Sequence, residues 1–197
     1  MLKQTAKRLA RLIALISILP IYALFLIASS ITSKDQAFSS CSQLTSLFPG
    51  ISGSYIRSAF YRLAMKKSHE ELTIGFGTIF SQQQTELSQG VYIGPQGNIG
   101  KCHIKANCLL GSGVHIMSGK GQHNFSDINT PIRDQGGSFE TVTIGEDSWI
   151  GNGSLIMANI GKKCVIGAGS VVINDIPDFS IVAGNPAKVI KKRNQQG

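Results

Sequence analysis

A chain of 197 residues with 42% hydrophobic and 15% charged residues can form one folded domain plus an accessory segment, and this composition excludes a disordered chain. The formal charge of +8 raises nucleic acid as a partner, yet twelve of the nineteen basic residues fall in three short clusters, near 3–11, 57–67 and 188–193, and the 7% of aromatics do not interleave with them. No nucleic-acid partner is expected. Cys41, Cys102, Cys108 and Cys164 form no CxxC pair and no cluster with histidine, so no metal is expected either.

Residues 1–33 read as a hydrophobic, membrane-associated segment. Leu12 to Ser33 carries no charge and follows Lys3, Lys7, Arg8 and Arg11. A simple span would put the rest of the chain on the far side, and a cleaved signal peptide would export it. Pro20 interrupts the apolar run, so a kinked, re-entrant or shallow helix that keeps the body in the cytoplasm is the preferred reading. Residues 34–71 read as a linker and an amphipathic helix. There Ile56, Ala59, Phe60, Leu63 and Ala64 share a face beside Arg57, Arg62, Lys66 and Lys67. Such a helix either lies in an anionic interface or docks on the body.

From residue 72 to 190 one dipeptide recurs: Ile74-Gly75, Ile93-Gly94, Ile99-Gly100, Ile144-Gly145, Ile150-Gly151, Ile160-Gly161 and Ile166-Gly167, with Leu110-Gly111 as a variant. Several are six residues apart, and a small side chain (Thr78, Cys108, Ser148, Ser154, Cys164, Ser170) follows the aliphatic residue by four. Neither a helical period nor simple alternation yields a six, whereas short strands joined by tight corners do. Each aliphatic residue then points inward and stacks on its counterpart one coil away, while glycine relieves the corner and allows positive φ. Ile156 to Ile160 and Ile99 to Ile104 read as shortened corners, and Gln82 to Gly90 as a loop.

The stretches Val142–Gly151, Val165–Val172 and Ala183–Ile190 resemble the hexapeptide-repeat acyltransferases, among them the sugar and polysaccharide O-acetyltransferases. The resemblance implies a mainly β fold, a left-handed parallel β-helix, assembled as a homotrimer and using acetyl-CoA as the acyl donor.

The repeat stops between Ile116 and Val142, and an interruption of this length carries function more often than not. The loop 117–141 contains Gly121-Gln122-His123-Asn124-Phe125-Ser126-Asp127, which resembles the histidine-bearing loop of the family's sugar and antibiotic O-acetyltransferases. The family's catalytic histidine maps onto His123. Imidazole titrates near neutrality and can take the proton of a hydroxyl that attacks a thioester carbonyl. Asp127 is either the orienter of that histidine or a turn former. His69, His103 and His115 are expected in structural or solvated roles. The γ-class carbonic anhydrases share the fold and bind zinc through three histidines, but His115 and His123 lack that family's close pair.

For the donor, the resemblance implies contacts at Asn152 and Ala168, at the turn Ile173-Asn174, and at Lys188 and Lys191 near the CoA phosphates, with Lys192 and Arg193 extending the charge into a basic tail, 191–197. Ile173-Asn174 departs from the family's Thr-Lys. Trp149 matches a recurrent family tryptophan that borders the cleft or packs. The membrane segment suggests a glycan acceptor, on a surface polysaccharide or its lipid-linked precursor. An N-acyltransferase acting on an amino sugar and a non-catalytic β-helix scaffold remain as alternatives.

Overall fold

The computed structural model describes residues 2–194. Four helices, α1 (Leu2–Ser17), α2 (Leu19–Ile31), α3 (Lys34–Ser46) and α4 (Gly50–Ala64), precede a solenoid of short strands. The first face of the solenoid holds β1 (Lys67–Ser68), β4 (Glu86–Leu87), β7 (Cys102–Ile104) and β10 (Val142–Ile144). On the second lie β2 (Thr73–Ile74), β5 (Tyr92–Ile93), β8 (Leu109–Leu110), β11 (Trp149–Ile150), β13 (Val165–Ile166) and β15 (Ser180–Gly184). The third is built from β3 (Ile79–Phe80), β6 (Asn98–Ile99), β9 (His115–Ile116), β12 (Leu155–Ile156) and β14 (Val171–Val172). All these pairings are parallel, each strand lying on the equivalent strand one coil away. The last strand, β16 (Ala187–Lys192), turns back antiparallel on β15 and closes the stack.

The six-residue pattern becomes three aliphatic columns. Ile74, Ile93, Leu110, Ile150, Ile166 and Val182 stack on the second face, and Phe80, Ile99, Ile116, Ile156 and Val172 on the third. Each is at most 2% exposed, and burial of such a side chain is worth about 1.5–3 kcal/mol. The small residues between columns turn inward as well. Their hydroxyls are satisfied by corner carbonyls: Thr78 donates to Gly94 at 2.7 Å and Ser148 to Gly161 at 2.9 Å. Cys108 and Cys164 occupy equivalent positions as compact buried groups, and burial pushes the Cys108 thiol up to about 11.

The Ile-Gly glycines act differently from the expectation. None has positive φ; the left-handed residue comes two positions later, as at Gly153 and Asp147. What Gly145 supplies is clearance, because a Cβ there would run into the backbone of Gly161 and Lys162 in the next coil.

Several boundaries move. The solenoid starts at Lys67, and Gln82–Gly90 is a regular coil, with Leu87 buried in the column between Ser68 and Ile104. Leucine stands there without a following glycine, which hid it. The expected linker contains α3. Its N-cap Ser33 accepts from the Gln36 amide at 3.2 Å, and its buried face is Ala37, Phe38, Cys41, Ser42 and Thr45. That spacing is helical, but the polar members mask it. The basic tail is strand as far as Lys192; residues 195–197 lie outside the described residues.

The helices cover the first coil. Phe25, Phe38, Phe60 and Tyr61 form an aromatic cluster, and Tyr61 meets Phe80 with ring centroids 4.6 Å apart. Among the described residues no single helix is long and apolar enough to cross a membrane; α1 and α2 are bent by 43° at Ile18, two residues before Pro20. α4 docks on the body, as one of its two readings held, and Arg57 is 1% exposed instead of facing an interface. Its guanidinium donates to the carbonyls of Ile74 at 2.9 Å and Phe48 at 2.6 Å.

Ile150→Ala is expected to cost about 2–5 kcal/mol in chemical denaturation, since the column cannot collapse around one missing side chain. Ser42 accepts from the Phe80 amide at 2.8 Å and pairs with the Tyr61 hydroxyl at 2.7 Å. Ser42→Ala should therefore cost about 1–3 kcal/mol by the same measurement, although it removes one oxygen only.

Candidate active site

The repeat is interrupted between β9 and β10, and the intervening loop folds back on itself. Ser138 donates its amide to Gly121 at 2.7 Å, Asn124 to Gly136 at 2.9 Å, and Glu140 to Ser118 at 2.9 Å. These bonds fix the backbone on either side of His123. Gly137 makes the approach possible, because a Cβ there would collide with the Gln122 carbonyl and sit 2.8 Å from the His123 nitrogen. The His123 side chain is exposed. The loop thus holds the histidine backbone in place and leaves the imidazole free to meet another molecule.

Asp127 is the turn former of the two alternatives. Its carboxylate accepts from the Thr130 hydroxyl at 2.7 Å and the Asn129 amide at 2.9 Å, and these bonds hold it below the usual carboxylate range. Gln135 completes the turn: its amide nitrogen donates to the carbonyls of Asp127 and Thr130, both at 2.7 Å, and its oxygen accepts from the Asp127 amide. No feature of the sequence marked Gln135 or Gly137, because both act through backbone contacts across the loop.

Beside the loop, Ser81, Asn98, His115, Ser118, Gln122 and Leu155 line a groove of about 370 Å³ on the third face. Asn98, His115 and Leu155 are consecutive rungs of the outward ladder there. His115 is exposed on a repeat strand, in keeping with the structural or solvated role expected for it, and it also lines this groove. Its place before the buried Ile116 was the available signal, since alternation sends it outward. His103 and His69 are engaged elsewhere: His103 lies 3.3 Å from Glu86, and the His69 ring accepts from the Glu71 amide at 3.0 Å.

The residues expected at the donor do not share one corner. Asn152 and Ala168 follow β11 and β13 at the corner between the second and third faces, both exposed. They are stacked, with the Gly169 amide donating to the Asn152 carbonyl at 2.8 Å. The Asn152 side-chain oxygen is taken by the Ser112 amide at 3.1 Å. Lys188 pairs with Ala183 near this corner, whereas Lys191 pairs with Ile181 at the far end of β15. Ile173 and Asn174 follow β14 at the next corner. Lys192 and Arg193 are structural rather than a free basic extension: Lys192 donates to Asp178 and Ser180, and Arg193 to Lys163, closing the last coil. Trp149 is 54% exposed on the outward ladder of the second face, between Leu109 and Val165. Among the described residues no group of three or more His, Cys, Asp or Glu could hold a metal ion.

No family model matches the chain. In sequence it is 32% identical over 129 residues to an Escherichia coli protein provisionally named as a lipopolysaccharide biosynthesis O-acetyl transferase, covering 62% of this chain and 64% of that one. In structure it superposes on a maltose O-acetyltransferase from Clostridium difficile with a TM-score of 0.70 and 22% identity, covering 84% of this chain and 91% of the other. A galactoside acetyltransferase in complex with coenzyme A gives a TM-score of 0.65, 22% identity and 82% coverage of each chain. The chain spans between 24% and 64% of the length of the curated relatives it matches. Repeat and pairing together make the chain a parallel β-helix of hexapeptide repeats, similar in sequence to named acetyltransferases and in fold to solved ones.

Gly137→Ala is expected to displace the Gln122–His123 backbone. In an acetyl-transfer assay it should lower kcat about tenfold or more, while the thermal midpoint, set by the coils, moves little.

Proposed function

We propose that the chain is an acetyl-CoA-dependent O-acetyltransferase that modifies a hydroxyl of a surface polysaccharide or a lipid-linked glycan precursor. The observation that carries the reading is His123, which is exposed next in the chain to the groove-lining Gln122 while the backbone on either side of it is pinned. Named acetyltransferases among the relatives, and a coenzyme A complex on the same fold, support the donor.

In this reading the imidazole takes the acceptor proton as the hydroxyl oxygen attacks the thioester carbonyl. The tetrahedral intermediate collapses with cleavage of the C–S bond, and the departing CoA sulfur takes the proton back from the imidazolium. Acceptor ester and free thiol leave, with no acyl-enzyme. The donor lies along the corner of Asn152 and Ala168, with Ile173 and Asn174 at the adjoining turn and Lys188 and Lys191 toward the CoA phosphates. Asn98, His115 and Gln122 offer polar contacts to a sugar in the groove.

The active unit is a homotrimer. Two exposed apolar sets support association: Tyr92, Leu109 and Trp149 on the second face, and Phe125, Ile128, Ile132 and Phe139 on the loop, with Ile128 93% exposed. The catalytic body stands on the cytoplasmic side of a membrane, where acetyl-CoA is available and a lipid-linked acceptor is within reach.

His123→Ala should lower acetyl transfer by about 10²–10⁴-fold with folding and acetyl-CoA binding retained, followed by thiol release and calorimetry. Unchanged turnover would remove the base assignment. Mass spectrometry of the product distinguishes an ester from an amide, and an amide would replace the hydroxyl acceptor by an amine. Absence of thiol release with every glycan tried, and of CoA binding, would favour a scaffold.

A further inference from the structure

The outer surface of the helical cap is apolar where a helix packed on a soluble body is ordinarily polar. On α1, Leu9, Leu12, Ile13 and Ile16 form an outward stripe at helical spacing, each 53–60% exposed, while Ala14 and Ile18 are buried on the inner side. The stripe continues along α2 through Leu19, Ile27 and Ile31, the last 79% exposed. The polar groups lie off it: Arg11 pairs with Glu70 and Glu71 at 3.7 Å, and Lys7 lines the groove beside α4.

Neither helix can span a bilayer. At about 1.5 Å per residue, α1 and α2 reach roughly 24 and 20 Å, against about 30 Å of hydrocarbon. They are also held bent, because Ala14, Ile18 and Phe25 are anchored in the core against α3 and α4. Straightening the pair would pull Phe25 out of its aromatic cluster. The charge of this region selects the partner. Residues 1–64 carry seven lysines and arginines against a single acid, Asp35, whose carboxylate already accepts from the Gln83 amide at 2.8 Å. An apolar face on a strongly cationic cap matches an anionic lipid surface.

We propose that the outer face of α1 and α2 docks into one leaflet of an anionic bilayer with both helix axes along the surface. The whole chain then stays on one side, which resolves the conflict between a basic N-terminal flank and a cytosolic acyl donor. This deepens the membrane reading and does not depend on the transfer chemistry.

The test is flotation of the full-length purified protein with phosphatidylglycerol-rich vesicles and with phosphatidylcholine vesicles. The protein should float with the former and be released by alkaline carbonate. Leu12→Ser, Ile16→Ser and Ile27→Ser together should lower binding about tenfold or more with an unchanged circular dichroism spectrum. Should that triple variant misfold, Lys7→Gln with Arg8→Gln is the second probe, and it should lose several-fold in anionic vesicles. Equal flotation of the folded variants, retention through carbonate, or a wild type that stays unbound and forms oligomers dispersed by the serine variant would overturn the proposal. Acetyl transfer to a soluble acceptor, measured on the same samples, separates failure of docking from failure of the catalytic reading.

Discussion

A stack of parallel coils satisfies its backbone internally everywhere except at its two ends, where a full turn of N–H and C=O groups faces outward with no further coil to meet. The rest of this molecule is arranged around that constraint. At the N-terminal end the helices supply the missing partners one at a time. The Ser54 hydroxyl accepts from the Ile74 amide, the Ser46 carbonyl from Gly77, the Ser42 hydroxyl from Phe80 and the Asp35 carboxylate from Gln83. Arg57 serves the opposite polarity, donating to the Ile74 carbonyl and to the carbonyls released at the end of α3. At the other end β16 folds back on β15, and Lys192 and Arg193 bond the carbonyls of the last coil.

The buried guanidinium bonds to backbone carbonyls and not to a carboxylate, which ordinarily makes a buried charge expensive. Two features offset this cost. The carbonyls it meets near the C-terminal end of α3 carry the negative end of that helix's dipole, and their alternative is burial without any donor. Burial still disfavours the charged form and lowers the pKa of Arg57, while raising that of neighbouring Tyr61 to about 12. The Tyr61 phenol therefore stays neutral near neutrality. The cap is consequently a fixed joint, and a surface attached to it is rigidly connected to the coils behind.

What the sequence revealed follows from where each signal resides. The columns were legible because Ile74, Ile93, Ile150 and Ile166 repeat one side-chain requirement at one spacing, and burial admits few substitutes. Leu87 and α3 were not, since a lone leucine lacks its glycine and the inner face of α3 is partly serine and threonine whose hydroxyls bond within the protein. At the site, His123 was marked by its neighbours in the chain. Its supports were hidden: Gly137 matters for a backbone it approaches fourteen positions away, and Gln135 for a turn it spans. Lys192 looked like surplus charge because composition cannot distinguish a solvated ammonium from one that closes a coil.

The loop's position also has a reason. Because each strand rests on the equivalent strand one coil away, chain can be added between β9 and β10 without disturbing either register. Ile104 still pairs with Ile144, and Ile116 with Ile156. The entropic cost of closing a longer connection grows only logarithmically, each doubling adding about 0.6 kcal/mol. The coils on both sides are already fixed by their own columns, so the insertion need not contribute to the core and its sequence is free to serve chemistry. The same rigidity acts in the other direction. With Ser118 and Gly121 at its start bonded to Glu140 and Ser138 at its end, the loop closes on itself and fixes the backbone around His123. A solenoid therefore accommodates an inserted loop at little cost to stability, provided that the insertion falls at a corner and is tied at its base.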